Sequence, residues 1–551
     1  MKHPKIPLAQ TVVQICKLKQ IEEIIISPGS RNAPLIIGFT NDSFFKCYSI
    51  VDERCAAFFA LGIAQQTNKP VALVCTSGSA LLNYYPAIAE AFFSNIPLVV
   101  ISADRPHNLL NIGDGQTINQ EHVFSNHILY QANLTEENQA ENEIEINQAI
   151  NCSKLKLGPI HINAPFNEPL YEVVDKISEH LKIIESKSEE VTTDNLSEFA
   201  SIWNSAKRKM VLVGVNAPNE VEQKYLDYLA DDDAVIVFTE TTSNLHNDEF
   251  FPSIDKILAS LTDDEFRKLQ PEILLTFGGM IISKKVKAFL RSNQPKHHWH
   301  VGVHKANNTY FCLDKHFKLP LNQFFKELLI ENKKSPSTYK ENWKDVKLKR
   351  SSKHDEYLKS IPYSDFIAFD LVLKSMPNNT NLQIGNSSAV RYVQLFDINP
   401  SLKVFCNRGT SGIDGSTSTA IGASTTTKTQ TVFITGDLSF FYDSNALWNN
   451  YIPSNFRIIL INNSGGGIFR ILPGHKNTNN FDTYFETKHN LNAMHLCDMY
   501  DFDYIAANSK ENISDALVNF YEESNSPKLL EIFTPSAVND EVLLNYFQFI
   551  K

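Results

Sequence analysis

A chain of 551 residues, 43 % hydrophobic and 21 % charged, is long enough for several domains with their own cores, which excludes disorder as its main state. Asp and Glu outnumber Lys and Arg by 62 to 51, a net charge of −11 with no long basic run. General binding to nucleic acid or to anionic membranes is thereby excluded, while local basic pockets for small anions are not. The eight cysteines form no CxxC pair, which excludes zinc-ribbon and thioredoxin-type sites and points to a reducing compartment. No apolar h-region opens the chain and no apolar run is long enough to span a bilayer, so a cytoplasmic protein is expected.

Short β-branched runs alternate with helical patterns along the whole chain. Strands are expected at 23–27, 71–76 and 98–103, with helices at 53–65 and 80–94 between them. Continuous apolar strands separated by helices indicate a parallel sheet covered on both faces. This first unit is assigned to residues 1–180, closing after GPIHINAPFNEPL, with a polar linker over 172–200. A second alternating set, 209–215, 234–239, 272–277 and 298–303, falls within 181–350 and lacks GxGxxG, so a nucleotide role is weakly supported. Strand alternation places His298 and His300 on one face, but no further metal ligand is evident. The run 134–150, rich in carboxylates, reads as the exposed side of a helix. A Lys-, Ser- and Asn-rich stretch, 331–357, reads as a second linker with solvated helix. The third unit, 351–551, has expected strands at 381–384, 403–406, 431–435, 457–462 and 528–532. The expected fold is α/β, with three doubly wound parallel-sheet domains, the first and third of related architecture.

The most informative segment is 434–469. One strand runs into Gly436-Asp437 and the next into Asn463-Ser464-Gly465, 463 − 437 = 26 residues later. That spacing suits one helical crossover, which returns both strand ends to the same sheet edge, where ligands bind. Asp437 offers a carboxylate oxygen, Asn463 an amide oxygen and Gly465 a backbone carbonyl. Magnesium seeks about six oxygens and completes its shell with phosphate and water. Three protein oxygens therefore imply a diphosphate. Gly436 allows close backbone approach, and Ser439, near the next helix start, can donate to phosphate.

This GD…NN pair resembles the signature of thiamine diphosphate enzymes, which have a pyrimidine-binding, a central and a diphosphate-binding domain. The resemblance implies that residues 1–180, 181–350 and 351–551 are these three, and that a glutamate in the first contacts the aminopyrimidine ring. YSIVDERCAAFFALGIA supplies Glu53 at a helix start. A carboxyl shielded from water keeps a raised pKa and can share its proton with the ring nitrogen.

Further strings narrow the resemblance: SPGSRNAPL, TSGSALLNYYPA, ADRP, GDGQTINQ, GNSSAVR, NRGTSGIDG and NNSGGGIFRILP. Together they resemble the 2-succinyl-5-enolpyruvyl-6-hydroxy-3-cyclohexene-1-carboxylate synthase family of menaquinone biosynthesis. The implied reaction decarboxylates 2-oxoglutarate and adds the succinyl semialdehyde carbanion to isochorismate, with thiamine diphosphate and Mg²⁺ or Mn²⁺ as cofactors. By resemblance Arg391 and Arg408 hold the succinyl part, while Ser30, Arg31, Arg105 and Gln116 hold isochorismate. Ser387 lies near the cofactor or donor, Ile413 props the cofactor, and Ile468 and Phe469 line the acceptor pocket. GGMIISKKVK offers Lys284 or Lys285 as a central-domain contact, Lys284 being favoured. The family shares its sites between subunits, which implies a homodimer or homotetramer. The alternative is another thiamine diphosphate-dependent 2-oxoacid decarboxylase or synthase; a third reading is a binding protein with a relic cofactor site.

Overall fold

The computed structural model describes residues 2–177, 181, 184–185, 196–259, 261–330, 334–471 and 478–551. Much of the expected linker at 172–200, including the boundary at 180, lies outside the described residues, as do 331–333 and the last two residues of NNSGGGIFRILP.

Three parallel sheets follow one another along the chain. The first is ordered Lys46–Ser49, Glu23–Ile26, Val71–Cys75, Leu98–Asp104, Ile160–Pro165, Gln131–Asn133. The second is ordered Val235–Thr239, Lys209–Val213, Ile273–Phe277, His297–Val301, Lys315–Phe317. The third is ordered Lys403–Phe405, Asn381–Ile384, Thr431–Gly436, Arg457–Asn462, Lys528–Phe533, Asp503–Ala507. Numbered within each sheet, the first and third both read 2-1-3-4-6-5 and the second reads 2-1-3-4-5. In each, the connection reverses between strands 1 and 3, the crevice where doubly wound sheets bind ligands. The interior strands Val71–Cys75 and Ile273–Phe277 are buried at every residue, as their unbroken apolar runs require. The strands that the pattern missed include four edge strands: Lys46–Ser49, Gln131–Asn133, Lys315–Phe317 and Asp503–Ala507. They are short and half-solvated, so no apolar run marks them.

Three expectations are corrected. The single helix expected over 80–94 is two, Ser79–Asn83 and Tyr85–Ser94. Pro86 sits in the first turn of the second; lacking an N–H, it cannot continue the ladder of the first. The crossover between Gly436 and Asn463 is not one long helix. It comprises Asp437–Tyr442, a 3₁₀ turn Ser444–Leu447 and an irregular run containing Pro453. The expected second linker is largely the helix Tyr339–Ser360, and it is not solvated throughout. Tyr339 and Trp343 pack into the central core, and Tyr357 into the core of the third unit.

The first and third units meet through the helices Glu53–Thr67 and Ser416–Ser424. Two glycines permit this crossing. A Cβ on Gly62 would lie 2.1 Å from the Thr419 carbonyl oxygen, and one on Gly422 would lie 2.0 Å from that of Phe59. Phe58, Phe59, Ile421, Phe433 and Phe440 thus share one core. In the second sheet the loops after strands 1 and 3 meet backbone to backbone. Gly214 donates to Phe277 and Gly279 to Val215, and a Cβ on Gly214 would lie 2.0 Å from the Gly279 oxygen. Nearby, the Thr276 hydroxyl lies 3.0 Å from Nε2 of His298 and from Nδ1 of His300, while Nδ1 of His298 is buried without a hydrogen-bond partner among the described residues. The Asn244 side chain bonds both the N–H and the C=O of Val404, covering the edge strand of the third sheet as a peptide group would.

Candidate active site

In the third sheet, strands 1, 3 and 4 end in GNSS, GD and NNSG, so three motifs distant in sequence share one mouth. Asp437 is buried at the start of Asp437–Tyr442. Its Oδ2 accepts the backbone N–H of Asn463 at 3.1 Å and of Gly465 at 3.0 Å, and lies 3.4 Å from Nε2 of His489. Among the described residues its Oδ1 accepts only the N–H of Leu438, at 2.6 Å. The Asn463 amide nitrogen donates to Asp365 Oδ2 at 2.9 Å. No described residue donates to the Asn463 amide oxygen. The Gly465 carbonyl accepts Gly467 N–H at 3.0 Å and keeps a second lone pair; Gly465 itself has φ +148, with Glu486 O where a Cβ would sit. A Cβ on Gly436 would meet nothing within 4 Å, so open space faces the turn. One carboxylate, one amide and one carbonyl oxygen, each with spare lone pairs, form a donor set that fits a hard cation.

Asp365 and His489 escaped the sequence reading. Burial pushes the Asp365 carboxyl up to about 6, against hydrogen bonds from Thr534 and Asn463 and helped by the charge of Asp437. His489 is held by its N–H on Ser464 O, by Leu491 N–H on its Nδ1 and by an edge contact to Phe441. Its proton therefore sits on Nε2, facing Asp437. The hydroxyl of Ser439 donates to Ile413 O at 3.0 Å, so its hydrogen is spent within the protein rather than free for phosphate.

At the same mouth, Ser387 has φ +69 and ψ −123 between its strand and helix, a conformation that costs about 1–3 kcal/mol in a non-glycine residue and concentrates at functional sites. Its carbonyl accepts Arg391 Nη1 at 2.6 Å. Asn386, one residue earlier, accepts Arg408 Nη1 at 2.7 Å and donates to the carbonyls of Asn407 and Gly412. It therefore orders the loop that carries both Arg408 and Ile413. Arg391 is held below its ordinary value by burial and by the Arg408 charge, with Asp255 opposing. From the first unit, the buried carboxylate of Glu90 accepts the N–H groups of Gly409 and Thr410, both at 2.6 Å, and the Thr410 hydroxyl at 2.8 Å. Asn386 stands within GNSS, but what it holds, like what Glu90 holds, is remote in sequence.

The first sheet presents a different mouth. Arg31 is buried; its N–H bonds Thr76 and its Nη1 bonds Phe166 O at 2.9 Å, while Ser30 beside it is exposed. Arg105 bonds Gly115 O at 3.0 Å and lies 3.6 Å from Asp114. Burial holds Arg31 below its ordinary value, and the Arg105 charge lowers it further. The Nε atoms of Arg31, Arg105 and Arg408 are all buried without a hydrogen-bond acceptor. Gln116 is exposed, with φ +56; its carbonyl accepts the Ser77 hydroxyl at 2.9 Å. Gln120, at the end of GDGQTINQ, ties that loop down by bonds to Gly78, Ala103 and Asn163.

Glu53 opens its helix behind the N-cap Asp52, which accepts Cys55 N–H. Burial raises the Glu53 carboxyl above its ordinary value, Asp52 adds to the rise, and Asn83, 3.4 Å away, opposes it. The flanking residues reach the far end of Asp437–Tyr442: Asp52 accepts from Asn445, and Arg54 donates to Tyr442 O. Among the described residues Glu53 and Asp437 share no partner within one chain. In the central unit Lys284 is exposed at its helix start. Lys285 lies 4.0 Å from the centre of the Phe547 ring. Lys287, unnamed in the sequence reading, feels the charges of both Glu240 and Arg408. Phe469 is partly exposed against Phe485, with Ile468 beside it in the 3₁₀ segment Gly467–Ile471.

Residues 6–131 match the N-terminal TPP binding domain of thiamine pyrophosphate enzymes, and residues 383–532 match their C-terminal TPP binding domain. Proteins named 2-succinyl-5-enolpyruvyl-6-hydroxy-3-cyclohexene-1-carboxylate synthase are similar over the whole chain. That of Christiangramia forsetii is 58 % identical and that of Flavobacterium psychrophilum 57 %, each over 100 % of both chains. That of Porphyromonas gingivalis is 36 % identical over 98 % of this chain and 96 % of its own. With both TPP-binding domains present and identity this high from end to end, the chain belongs to the 2-succinyl-5-enolpyruvyl-6-hydroxy-3-cyclohexene-1-carboxylate synthase family of thiamine diphosphate-dependent enzymes.

Proposed function

We propose that the protein joins 2-oxoglutarate to isochorismate with loss of carbon dioxide, forming 2-succinyl-5-enolpyruvyl-6-hydroxy-3-cyclohexene-1-carboxylate for menaquinone synthesis. The observation that carries this reading is the presence of two separate arginine pairs, Arg31 with Arg105 and Arg391 with Arg408. Three of these four side chains have a buried Nε without an acceptor. Both substrates are dianions, and guanidinium groups bind carboxylates through paired hydrogen bonds. An enzyme acting on pyruvate alone has no use for two such pairs.

Thiamine diphosphate, when bound, supplies the electron sink for decarboxylation and carbon–carbon bond formation. Asp437, Asn463 and Gly465 would hold its diphosphate through Mg²⁺ or Mn²⁺, with Gly436 leaving room and Ser439 fixing the turn. Ser387 and Ile413 would flank the cofactor. Glu53 would hold a proton at the aminopyrimidine, a task that suits a carboxyl raised by burial. Arg391 and Arg408, with a lysine from the 284–287 segment, would fix the succinyl carboxylate. Ser30, Arg31, Arg105 and Gln116 would orient isochorismate against Ile468 and Phe469, which would exclude water.

Since among the described residues Glu53 and Asp437 share no partner within a chain, the cofactor would be gripped between two copies in a homodimer or homotetramer. The exposed Val51, Leu82, Tyr442 and Trp448 around the Glu53 helix start suit such a contact. A cytoplasmic location accords with eight free thiols, and among the described residues no helix is long and apolar enough to cross a membrane. Mass spectrometry of products from 2-oxoglutarate plus isochorismate, with pyruvate as competitor, tests the reading. The 2-succinyl adduct is expected; a pyruvate-derived product alone would refute it.

A further inference from the structure

We propose that Asp365 is a positioning residue that sets the polarity of the Asn463 side chain, so that the amide oxygen and not the amide nitrogen faces the cation. An amide ligand has two ends of similar shape, and only the oxygen can bind a cation. Something must therefore choose the end. Asp365, Asn463, Thr534 and Asn539 are all buried, and their hydrogen bonds run in one direction. Asn539 Oδ1 accepts Asp365 N–H at 2.8 Å, which commits the Asn539 nitrogen as a donor; it reaches Thr534 Oγ1 at 3.3 Å. The Thr534 hydroxyl, having accepted, donates its own proton to Asp365 Oδ1. Asp365 Oδ2 then accepts the Asn463 amide nitrogen at 2.9 Å. A carboxylate already receiving the Thr534 proton has only lone pairs to offer Asn463, so the nitrogen must point to Asp365 and the oxygen to the mouth.

The chain of bonds begins on the C-terminal helix Ser536–Phe549 and ends on a cation ligand. It spans residues 365, 463, 534 and 539, which no local motif could reveal. Outer partners of metal ligands commonly act this way, and their loss costs about 10–100-fold in metal affinity.

This inference rests on the proposed cation site, and its test separates the two. Thiamine diphosphate binding is measured by calorimetry across a magnesium series. If binding by the native protein does not depend on magnesium, the cation site itself fails. If it does, Asp365→Asn should raise the magnesium needed for half-saturation about 10–100-fold. The amide introduced at position 365 would still accept from Thr534 and would then turn a nitrogen toward Asn463, forcing the 463 amide to reverse. The exchange variant D365N/N463D gives the amide donor at 365 a carboxylate acceptor at 463 and so keeps an oxygen at the mouth, without altering the net charge of the native protein. It should return to within about fivefold of the native protein. A D365N variant with native magnesium dependence, or an exchange variant no better than D365N, would overturn the proposal. A crystal structure of the native holoenzyme supplies the same decision if D365N does not fold. The 463 nitrogen must remain on Asp365 with its oxygen on the ion, and a nitrogen released from Asp365 would overturn the assignment.

Discussion

The first and third sheets share one strand order, and only the third adds a cluster of oxygen donors to the arginines at its mouth. The third ends its adjacent strands 3 and 4 in oxygens: Asp437, the Asn463 amide and the Gly465 carbonyl, backed by Asp365. The first ends in guanidinium groups, Arg31 and Arg105, with one raised carboxyl, Glu53, on a neighbouring helix. Strand order thus decides where a ligand can sit, and the few residues after each strand decide what it can be. The second sheet makes the point by contrast. It has the same beginning, 2-1-3-4, yet the loops after its strands 1 and 3 touch backbone to backbone at Gly214 and Gly279.

Variants can break this comparison at each mouth. The largest effect is expected at Glu53. Glu53→Gln should still bind thiamine diphosphate in calorimetry while turnover falls about 10²–10⁴-fold, the usual span of acid–base assistance; near-normal turnover would remove its role. Asp437→Ala should do the reverse, weakening magnesium-dependent cofactor binding by about 100-fold or more, since a ligand matters at least as much as its outer partners. Unchanged binding would remove the cation assignment. The arginine pairs sharpen the contrast further. Arg408→Ala should raise the KM for 2-oxoglutarate about 10–100-fold and spare that for isochorismate, and Arg105→Ala should do the opposite, each losing a charge-assisted bond worth about 1.5–3 kcal/mol. Steady-state kinetics with each substrate varied in turn would show whether the two dianions are divided this way. The smallest effect is expected at Glu90. Glu90→Gln keeps an acceptor for part of the 409–410 loop and should cost about 1–3 kcal/mol in urea unfolding, with only a few-fold rise in the KM for 2-oxoglutarate.

The legible parts of this molecule are those whose chemistry is local. Asp437 and Asn463 each follow a continuous apolar strand, and Glu53 follows an N-cap, so their settings are readable within a few residues. Interior strands were legible for the same reason. Asp365, Glu90 and His489 were not, and Asn386 and Gln120 lay within GNSSAVR and GDGQTINQ without showing what they hold. Each is a single polar residue whose partners lie far along the chain, and its burial, which makes it consequential, exists only after folding. Edge strands such as Gln131–Asn133 failed because half-solvated residues carry no unbroken apolar run. Helix Tyr339–Ser360 misled by composition: its many charged residues hide the few aromatic ones that dock it on two cores.

The central claim is that the two unlike mouths meet around one cofactor across a subunit boundary, and subunit complementation tests it directly. Glu53→Gln and Asp437→Ala chains, each inactive alone, are co-expressed in equal amounts and assayed with both substrates. If the site is shared between copies, half of the dimers are mixed and each holds one intact site, so about a quarter of native activity should return. Activity no higher than that of either parent, in a preparation shown by native mass spectrometry to contain mixed dimers, would contradict the account.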